Sequence, residues 1–152
     1  MDFNKRIQQI KIDEGLKLQR YKCTANKWTI GRGYNLDSNP LGLTAQQINR
    51  YSTFGITTEI ADDLFNRMVE KIIDNLTNTF GFYESLPDDV RYILVNMTYN
   101  LGLGGVLKFK NMLIAIENHD YKRAAKEMVN SAWYKQVGNR AKRLVEIMEN
   151  VE

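Results

Sequence analysis

Three residues that could perform acid–base or nucleophilic chemistry lie close together near the start of the chain. Glu14 is followed by Cys23 after eight intervening residues, and Thr29 comes after five more. If the segment between them folds back as a hairpin onto the end of the preceding helix, a carboxyl, a thiol and a hydroxyl group face one cleft. Such a set can donate a proton, activate water or attack a substrate. These residue types are more often a solvated carboxylate, a small buried side chain and a strand former, so they do not by themselves establish an enzyme.

Motifs for other kinds of chemistry are missing from the sequence. Gly31-Arg32-Gly33 lacks the third glycine and the following helix of a nucleotide-binding loop. One cysteine excludes an intramolecular disulfide, and one cysteine with one histidine is too few for a zinc site built from such ligands. We therefore expect neither a metal nor a cofactor.

The elements that would position these residues can be predicted from apolar spacing and turn residues. A first helix is predicted from apolar residues at helical spacing: Phe3, Ile7 and Ile10. Gly15 ends it, because glycine accepts a left-handed conformation without a steric clash. Strand-forming side chains from Leu16 to Tyr34, with a turn at Ala25-Asn26-Lys27, predict a small antiparallel hairpin or three-stranded sheet.

The middle of the chain is predicted to be a loop followed by one long helix. Residues 35–58 are expected to be loop-like, with a break at Asn39-Pro40 and a short helix after Thr44. Two adjacent rows of apolar residues at a spacing of four then predict a helix from about Thr58 to Phe80. These rows are Ile60, Leu64, Met68, Ile72 and Leu76, and Ala61, Phe65, Val69 and Ile73.

The rest of the chain is predicted to be helical. One helix opens at Pro87 and ends at Gly102, Gly104 and Gly105, and others lie near 108–118, near 120–130 and from Asn139 onward. The layout predicts an α+β fold in a single domain. A small N-terminal β-hairpin lobe covers about residues 12–57. The long helix joins it to a helical C-terminal lobe of about residues 58–152, which includes the helix at 1–11.

Composition and charge narrow the class of protein. With 152 residues, 43% of them hydrophobic and 26% charged, the chain can bury one core and is not disordered, collagen-like or a membrane bundle. It has no apolar run of about 18 residues and no apolar stretch near its start, so we expect neither a membrane span nor a secretory signal. The net charge of +3 suits a polyanion such as a cell wall or a nucleic acid.

Several motifs in matched order and spacing give the chain a family resemblance. They are Ile12-Asp13-Glu14-Gly15-Leu16, Tyr21-Lys22, Trp28-Thr29-Ile30-Gly31 with Gly33, Leu64-Phe65-Asn66, Asn96-Met97 with Gly102, Gly105 and Phe109, Trp133-Tyr134, and Asn139-Arg140-Ala141-Lys142-Arg143. Together they span nearly the whole chain and resemble the phage-type lysozymes, the family 24 glycoside hydrolases typified by the lysozyme of the T-even phages. The resemblance implies a two-lobed lysozyme-like fold and cleavage of peptidoglycan.

The resemblance also implies roles for individual residues. Glu14 matches the family's general acid, and Thr29 matches the residue that helps to hold the attacking water. Cys23 stands where the T-even type has the catalytic aspartate, a position that is cysteine in some members. Its thiolate would either activate the water, giving inversion, or attack the sugar, giving retention, and both routes stay open. Arg140 matches a basic residue that pairs with the catalytic glutamate.

Four more positions match residues that line the substrate cleft of this family: Asn35, Tyr99, Asn100 and Asn111. Asn35 departs from the leucine of the T-even type. For all four positions, packing within the core or the loops is an equal alternative.

One departure from the family pattern concerns a structural ion pair. The histidine that follows the second strand in the family is Tyr34 here, and its acidic partner on the long helix is Met68. Because the pair is lost on both sides, we expect the catalytic residues to be unaffected.

The function implied by the resemblance is that of an endolysin. It would be a monomeric muramidase that hydrolyses the β-1,4 bond between N-acetylmuramic acid and N-acetylglucosamine in bacterial peptidoglycan and so lyses the host. It would stay in the host cytoplasm until a holin or another membrane-permeabilising protein lets it reach the wall.

The main alternative is a peptidoglycan-binding module that has lost catalysis, since position 23 is not a carboxylate. A small helical nucleic-acid binder has only the mild basicity in its favour, so we expect no nucleic-acid partner.

Overall fold

A computed structural model describes residues 2–152 and shows the predicted α+β fold, mostly helical with a small antiparallel sheet near the N-terminus. The strands are β1 (Lys17–Lys22), β2 (Trp28–Gly31) and β3 (Tyr34–Asn35). The helices are α1 (Phe3–Glu14), α2 (Ala45–Phe54), α3 (Thr58–Thr79), α4 (Asp88–Leu107), α5 (Lys110–Glu117), α6 (Tyr121–Val129), α7 (Ala132–Val137) and α8 (Asn139–Glu149), with a short 3-10 helix at Tyr83–Ser85. None of the helices within residues 2–152 is both long enough and apolar enough to cross a membrane.

The chain divides into two compact units. The sheet unit is Gln8–Lys71, and the helical unit runs up to Ile7 and continues from Ile72 to Glu152. The divisions fall inside α1 and α3, so each of these helices contributes residues to both units.

The sheet of the sheet unit is antiparallel, with the strands in the order β1-β2-β3. Tyr21 of β1 lies opposite Thr29 of β2, and Thr29 in turn lies opposite Asn35 of β3. The turn between β1 and β2 is closed by the Cys23 amide, which donates to the Lys27 carbonyl at 3.0 Å. This register places Thr29 between residues of both neighbouring strands.

The core of the sheet unit lies between the strands, the loop after β3 and α3. Its buried residues are Ile30, Tyr34, Leu36, Leu43, Ile56, Ala61 and Leu64. Gly31 at the end of β2 has a φ of +69°, and a Cβ at this position would stand 3.4 Å from the Cβ of Ala61. A glycine therefore lets β2 approach α3 closely at this point.

Tyr34 and Met68 stand at the two positions where the family resemblance implies an ion pair, and each has another role here. The hydroxyl of Tyr34, which is 2% exposed, donates to Asn39 Oδ1 at 2.7 Å and accepts from the Leu41 amide at 3.0 Å. Asn39 also bonds the amide and the carbonyl of Leu43. Met68 packs against the apolar core of the sheet unit. Hydrogen bonds to a loop and apolar packing therefore occupy the two positions.

We expect Tyr34→Phe to lower the free energy of unfolding by about 1–3 kcal/mol, because it removes two hydrogen bonds and leaves the half-buried Leu41 amide without its partner. Urea unfolding measures this as a lower midpoint at unchanged slope. Tyr51→Phe is the matched control, since Tyr51 packs against the same core and its hydroxyl forms no hydrogen bond within residues 2–152. Equal losses in the two variants would show that the Tyr34 hydroxyl does not stabilise the loop.

Three helices differ from the sequence prediction. Residues 35–58 are less loop-like than predicted, because α2 spans ten residues from Ala45, stabilised by a capping box of Thr44 and Gln47. The prediction that the helix opened by Pro87 ends at the glycines was wrong in part. Gly102 breaks the helical geometry, with φ 76° and ψ 162°, but this helix, α4, continues to Leu107. Helix α7 was not predicted, because six residues are too few to show a helical period.

The helical unit is built from short amphipathic helices. The predicted helix from Asn139 onward is α8, and its inward face consists of Ala141, Leu144, Val145 and Met148, which are all buried. Helix α6 packs against both α5 and α8. Arg6 in the first turns of α1 forms an ion pair with Asp89 at 3.2 Å and lies over the Tyr92 ring, which ties α1 to α4.

Candidate active site

Glu14 is the last residue of α1, where its carboxyl group lies against the backbone of Gly33. The helix ends as predicted, since Gly15 has a φ of +73° and its amide donates to the Ile12 carbonyl at 3.1 Å. Glu14 is half-buried. A methyl group on Gly33 would overlap Glu14 Oε2, and the φ of +79° at Gly33 also favours glycine. Gly33 therefore leaves the space that the Glu14 carboxyl group fills.

An ion-pair network fixes the end of α1, where Glu14 lies, to the turn after β2 and to α3. Arg32 Nη1 donates to the Gly15 carbonyl at 3.2 Å, and Arg32 Nε bonds Asp62 Oδ1 at 3.2 Å. Asp62 Oδ2 also pairs with Lys11 Nζ at 3.2 Å. We refer to Lys11, Arg32 and Asp62 as the α1 clamp, because they join α1, the turn after β2, and α3. Burial raises the pKa of Asp62, but hydrogen bonds from Lys11 and Arg32 and their charges outweigh it and lower the pKa below its usual value.

We expect Asp62→Asn to lower the free energy of unfolding at pH 7 by about 1–2 kcal/mol, because two cations lose their partner. The folded-state pKa of Asp62 is lowered, so its contribution is complete above the unfolded value of about 4 and is lost as the pH falls through the folded value. The difference between parent and variant should therefore shrink when urea unfolding is repeated at about pH 2–3.

Asp63→Asn is the control for this prediction. The Asp63 side chain is 65% exposed and stands 3.7 Å from Arg67, so its removal should cost less than about 0.5 kcal/mol. A difference between Asp62→Asn and the parent that stays constant from pH 7 to low pH would contradict the clamp.

Cys23 and Thr29 lie on either side of the β1–β2 turn. Thr29 is 4% exposed, and its hydroxyl donates to the Lys27 carbonyl at 2.9 Å. Cys23 is half-buried. Hydrogen bonding from the Lys27 backbone, and then from the Thr29 hydroxyl, lowers the pKa of the Cys23 thiol below its usual value. A larger fraction of Cys23 is therefore thiolate near neutral pH than in a free thiol.

Tyr21 is influenced by the charges of both Glu14 and Cys23, although the sequence indicated no role for it. It is the cross-strand partner of Thr29 and lies two residues before Cys23. Burial raises the pKa of Tyr21, and the negative charges of Glu14 and Cys23 raise it further. The charges of Glu14 and Cys23 therefore both act on the Tyr21 hydroxyl. The pairing of Tyr21 with Thr29 places both side chains on the same face of the sheet. The sequence predicted the hairpin but did not give this register.

Asn35 joins this group through the sheet, because it lies opposite Thr29. It is half-buried, and its Oδ1 accepts a hydrogen bond from the Ser38 amide at 2.9 Å. Asn35 therefore has a structural role in the turn after β3. The sheet unit brings together Glu14, Cys23, Thr29 and Asn35 of the predicted site residues.

The other predicted substrate positions lie in the helical unit. Tyr99 and Asn100 lie near the middle of α4, and Asn111 is the second residue of α5. Asn111 lines a pocket of about 810 Å³ together with Phe109 and Trp133. Asn100 Oδ1 accepts from Trp133 Nε1 at 2.9 Å, and Phe109 contacts the Trp133 ring edge-on. Trp133 is 5% exposed and therefore packs within the helical unit.

Arg140 lies at the start of α8, where its Nε donates to Asn96 Oδ1 at 2.8 Å. Asn96 is fully buried, and its Nδ2 donates to the Tyr92 hydroxyl at 3.0 Å. These bonds hold the Arg140 side chain within the helical unit. The pairing of Arg140 with Glu14 would join the two units and stays a prediction.

Comparison with known proteins gives a consistent result. Residues 11–148 match the family described as phage lysozyme. Two proteins of Dictyostelium discoideum, "Probable T4-type lysozyme 1" and "Probable T4-type lysozyme 2", are each 30% identical to the chain, over 92% of it and 91% of their own length. The "Pre-baseplate central spike protein Gp5" of Enterobacteria phage T4 is 31% identical over 93% of the chain, which corresponds to 27% of Gp5.

Proposed function

We propose that this chain, which belongs to the phage lysozyme family, hydrolyses the β-1,4-glycosidic bond between N-acetylmuramic acid and N-acetylglucosamine in bacterial peptidoglycan. The family points to a glycosidase that acts on peptidoglycan. The observation that carries the proposal is the match of the chain to this family over residues 11–148, with Glu14, Cys23 and Thr29 all within the sheet unit.

Glu14 is the general acid of the proposed reaction. Its half-buried carboxyl group lies against Gly33, and the α1 clamp bonds the carbonyl of the next residue, so the group has a defined position. In the first step the Glu14 proton passes to the glycosidic oxygen as the bond from that oxygen to the sugar C1 breaks. The leaving sugar thereby departs as a neutral alcohol.

Cys23 acts on the opposite side of the reacting carbon, and Thr29 assists it. In the inverting route the thiolate takes a proton from water, the water oxygen bonds to C1, and the Thr29 hydroxyl orients that water. In the retaining route the sulfur bonds to C1, and water then displaces it while the Glu14 carboxylate accepts a proton from the water. The lowered pKa of Cys23 supports both routes, because each requires the thiolate.

We assign substrate binding to the four positions that the family resemblance implies. Asn35 lies beside Thr29, and Asn111 lines the pocket of the helical unit, where Phe109 and Trp133 stand among polar residues. A pocket that combines apolar side chains with polar groups is typical of sites that bind small organic molecules. Tyr99 and Asn100 complete the proposed binding set, and the family resemblance implies a supporting role for Arg140.

The proposed biological setting is lysis of a host bacterium by a monomeric endolysin. The similarity to a phage lysozyme family supports this setting. The enzyme would accumulate in the host cytoplasm and reach the wall after a holin or a similar protein permeabilises the membrane. Cells that express the chain alone should stay intact, and cells that express it with a holin should lyse. Lysis at the same rate without the holin would contradict this setting.

A catalytically inactive peptidoglycan-binding module is the second candidate. It is favoured by one observation, the thiol at position 23 in place of a carboxylate. Purified peptidoglycan distinguishes the two functions, since an enzyme lowers the turbidity of the suspension. A binding module would sediment with the peptidoglycan and leave the turbidity unchanged.

A further inference from the structure

The basic residues of the sheet unit are concentrated in the segment that forms its strands. Residues 15–36 contain five basic residues and no acidic residue, whereas the rest of the chain has 16 basic and 18 acidic residues. The positive net charge of the chain therefore comes from this segment. Arg32 is one of the five and is neutralised by Asp62. The other four are exposed and form no ion pair within residues 2–152: Lys17, Arg20, Lys22 and Lys27.

Two of these cations share one face of the hairpin with Trp28. The Arg20 guanidinium lies 4.0 Å from the centre of the Trp28 ring, and Lys22 Nζ lies 4.7 Å from it. Side chains alternate between the two faces of a strand, so Tyr21 and Thr29 belong to the opposite face. The cations and the candidate catalytic residues therefore occupy opposite faces of the same hairpin.

The Trp28 ring orders the two cations without neutralising them. A cation over an aromatic face keeps its full charge, and its N–H groups stay available to an anion. Because the side chains are already held in place, less conformational entropy is lost when an anion binds. Arg20 also presents the planar fork of donors that matches a carboxylate.

We propose that the basic hairpin face, formed by Arg20, Lys22 and Trp28, binds carboxylates of a peptidoglycan strand next to the one being cleaved. The proposal rests on the function proposed above. Charge complementarity favours this partner, since the stem peptides of peptidoglycan carry carboxylates at regular intervals. A peptidoglycan strand bound to the basic hairpin face would not compete with the peptidoglycan strand being cleaved. The basic residues and the candidate catalytic residues of the hairpin lie on opposite faces of it. The bound strand would hold the enzyme on the insoluble wall and raise its local concentration there.

Cosedimentation with purified peptidoglycan tests this proposal. The protein carries Glu14→Gln so that the wall is not degraded, and the wall is stripped of attached phosphate polymers. Adding Arg20→Glu and Lys22→Glu should weaken binding by roughly tenfold at about 50 mM salt. The loss should largely disappear at about 0.5 M salt, because salt screens exposed charges.

Two further pairs of substitutions control for net charge and for folding. Lys122→Glu with Lys126→Glu makes the same change in net charge at exposed positions of α6, and should alter binding less than about twofold. Arg20→Gln with Lys22→Gln keeps the aliphatic stems over Trp28 and gives a second reading if the charge-reversed pair does not fold. This neutral pair should weaken binding by an intermediate factor.

Equal weakening by the hairpin pair and the α6 pair would overturn the proposal, since net charge alone would then explain binding. Retention on duplex DNA that depends on Arg20 and Lys22, without such retention on peptidoglycan, would also overturn it in favour of a nucleic-acid partner. Release of new sugar ends by the parent protein is measured in parallel. Turnover without hairpin-dependent binding would contradict this inference alone, and hairpin-dependent binding without turnover would contradict only the proposed hydrolysis.

Discussion

Glu14→Gln is expected to slow the clearing of purified peptidoglycan by about 100- to 10,000-fold, the usual contribution of a general acid. An amide has the size of the carboxyl group and still fits beside Gly33, but it cannot donate the required proton. The free energy of unfolding should stay within about 1 kcal/mol of the parent value, because the side chain keeps its size and Glu14 is only half-buried. The fall in turbidity with time measures the first quantity, and urea unfolding measures the second.

Glu84→Gln is the matched control for this prediction. Glu84 is exposed and lies in the short 3-10 helix of the helical unit, so its variant should clear the wall at the parent rate. Retention of more than about a tenth of the activity by Glu14→Gln would remove Glu14 from the role of general acid.

Substitutions at Cys23 are expected to have the second large effect. Cys23→Ala should lose at least about 100-fold in rate, because nothing remains to activate water or attack the sugar. Cys23→Asp should keep activity, since it introduces the carboxylate that the family resemblance implies for this position. The same clearing assay compares the three proteins, and urea unfolding shows whether each is folded.

The pH dependence of clearing should distinguish the thiol from the carboxylate. The parent needs Cys23 ionised, so its activity should rise with pH through the pKa of the thiol. That pKa is lowered, so the rise should lie below the ordinary thiol value of about 8.5. In Cys23→Asp the rise should move down toward the ordinary carboxyl value of about 4. Iodoacetamide should inactivate the parent, whose only thiol is Cys23.

A purely structural Cys23 gives different results. Cys23→Ala would then clear the wall as fast as the parent, and alkylation would change nothing. That outcome would leave Glu14 and Thr29 as the only proposed catalytic residues.

Elements with a strong local pattern could be predicted from the sequence. The apolar rows of α3 extend over more than four turns, and the observed helix, Thr58–Thr79, matches the prediction closely. Helix α7 was missed because six residues do not complete two turns. Gly102 was identified as a break, but local sequence did not show that the chain resumes a helix beyond it.

The candidate site could be predicted only in part, because some of its contacts depend on tertiary structure. Glu14, Cys23 and Thr29 were indicated by their order along the chain and by family resemblance. The role of Arg32 depends on Asp62, which lies 30 residues away in α3, so no local pattern shows it. Tyr21 was missed for a similar reason, since its importance comes from the strand register that places it opposite Thr29.

The measurement that tests the central proposal most directly is the identity of the new sugar end released from peptidoglycan. After digestion, reduction with borohydride converts every newly formed reducing end to a sugar alcohol, which mass spectrometry identifies. Hydrolysis of the bond between N-acetylmuramic acid and N-acetylglucosamine predicts N-acetylmuramitol from the parent and almost none from Glu14→Gln. Release of N-acetylglucosaminitol, or clearing of the wall without any new reducing end, would contradict the proposed reaction.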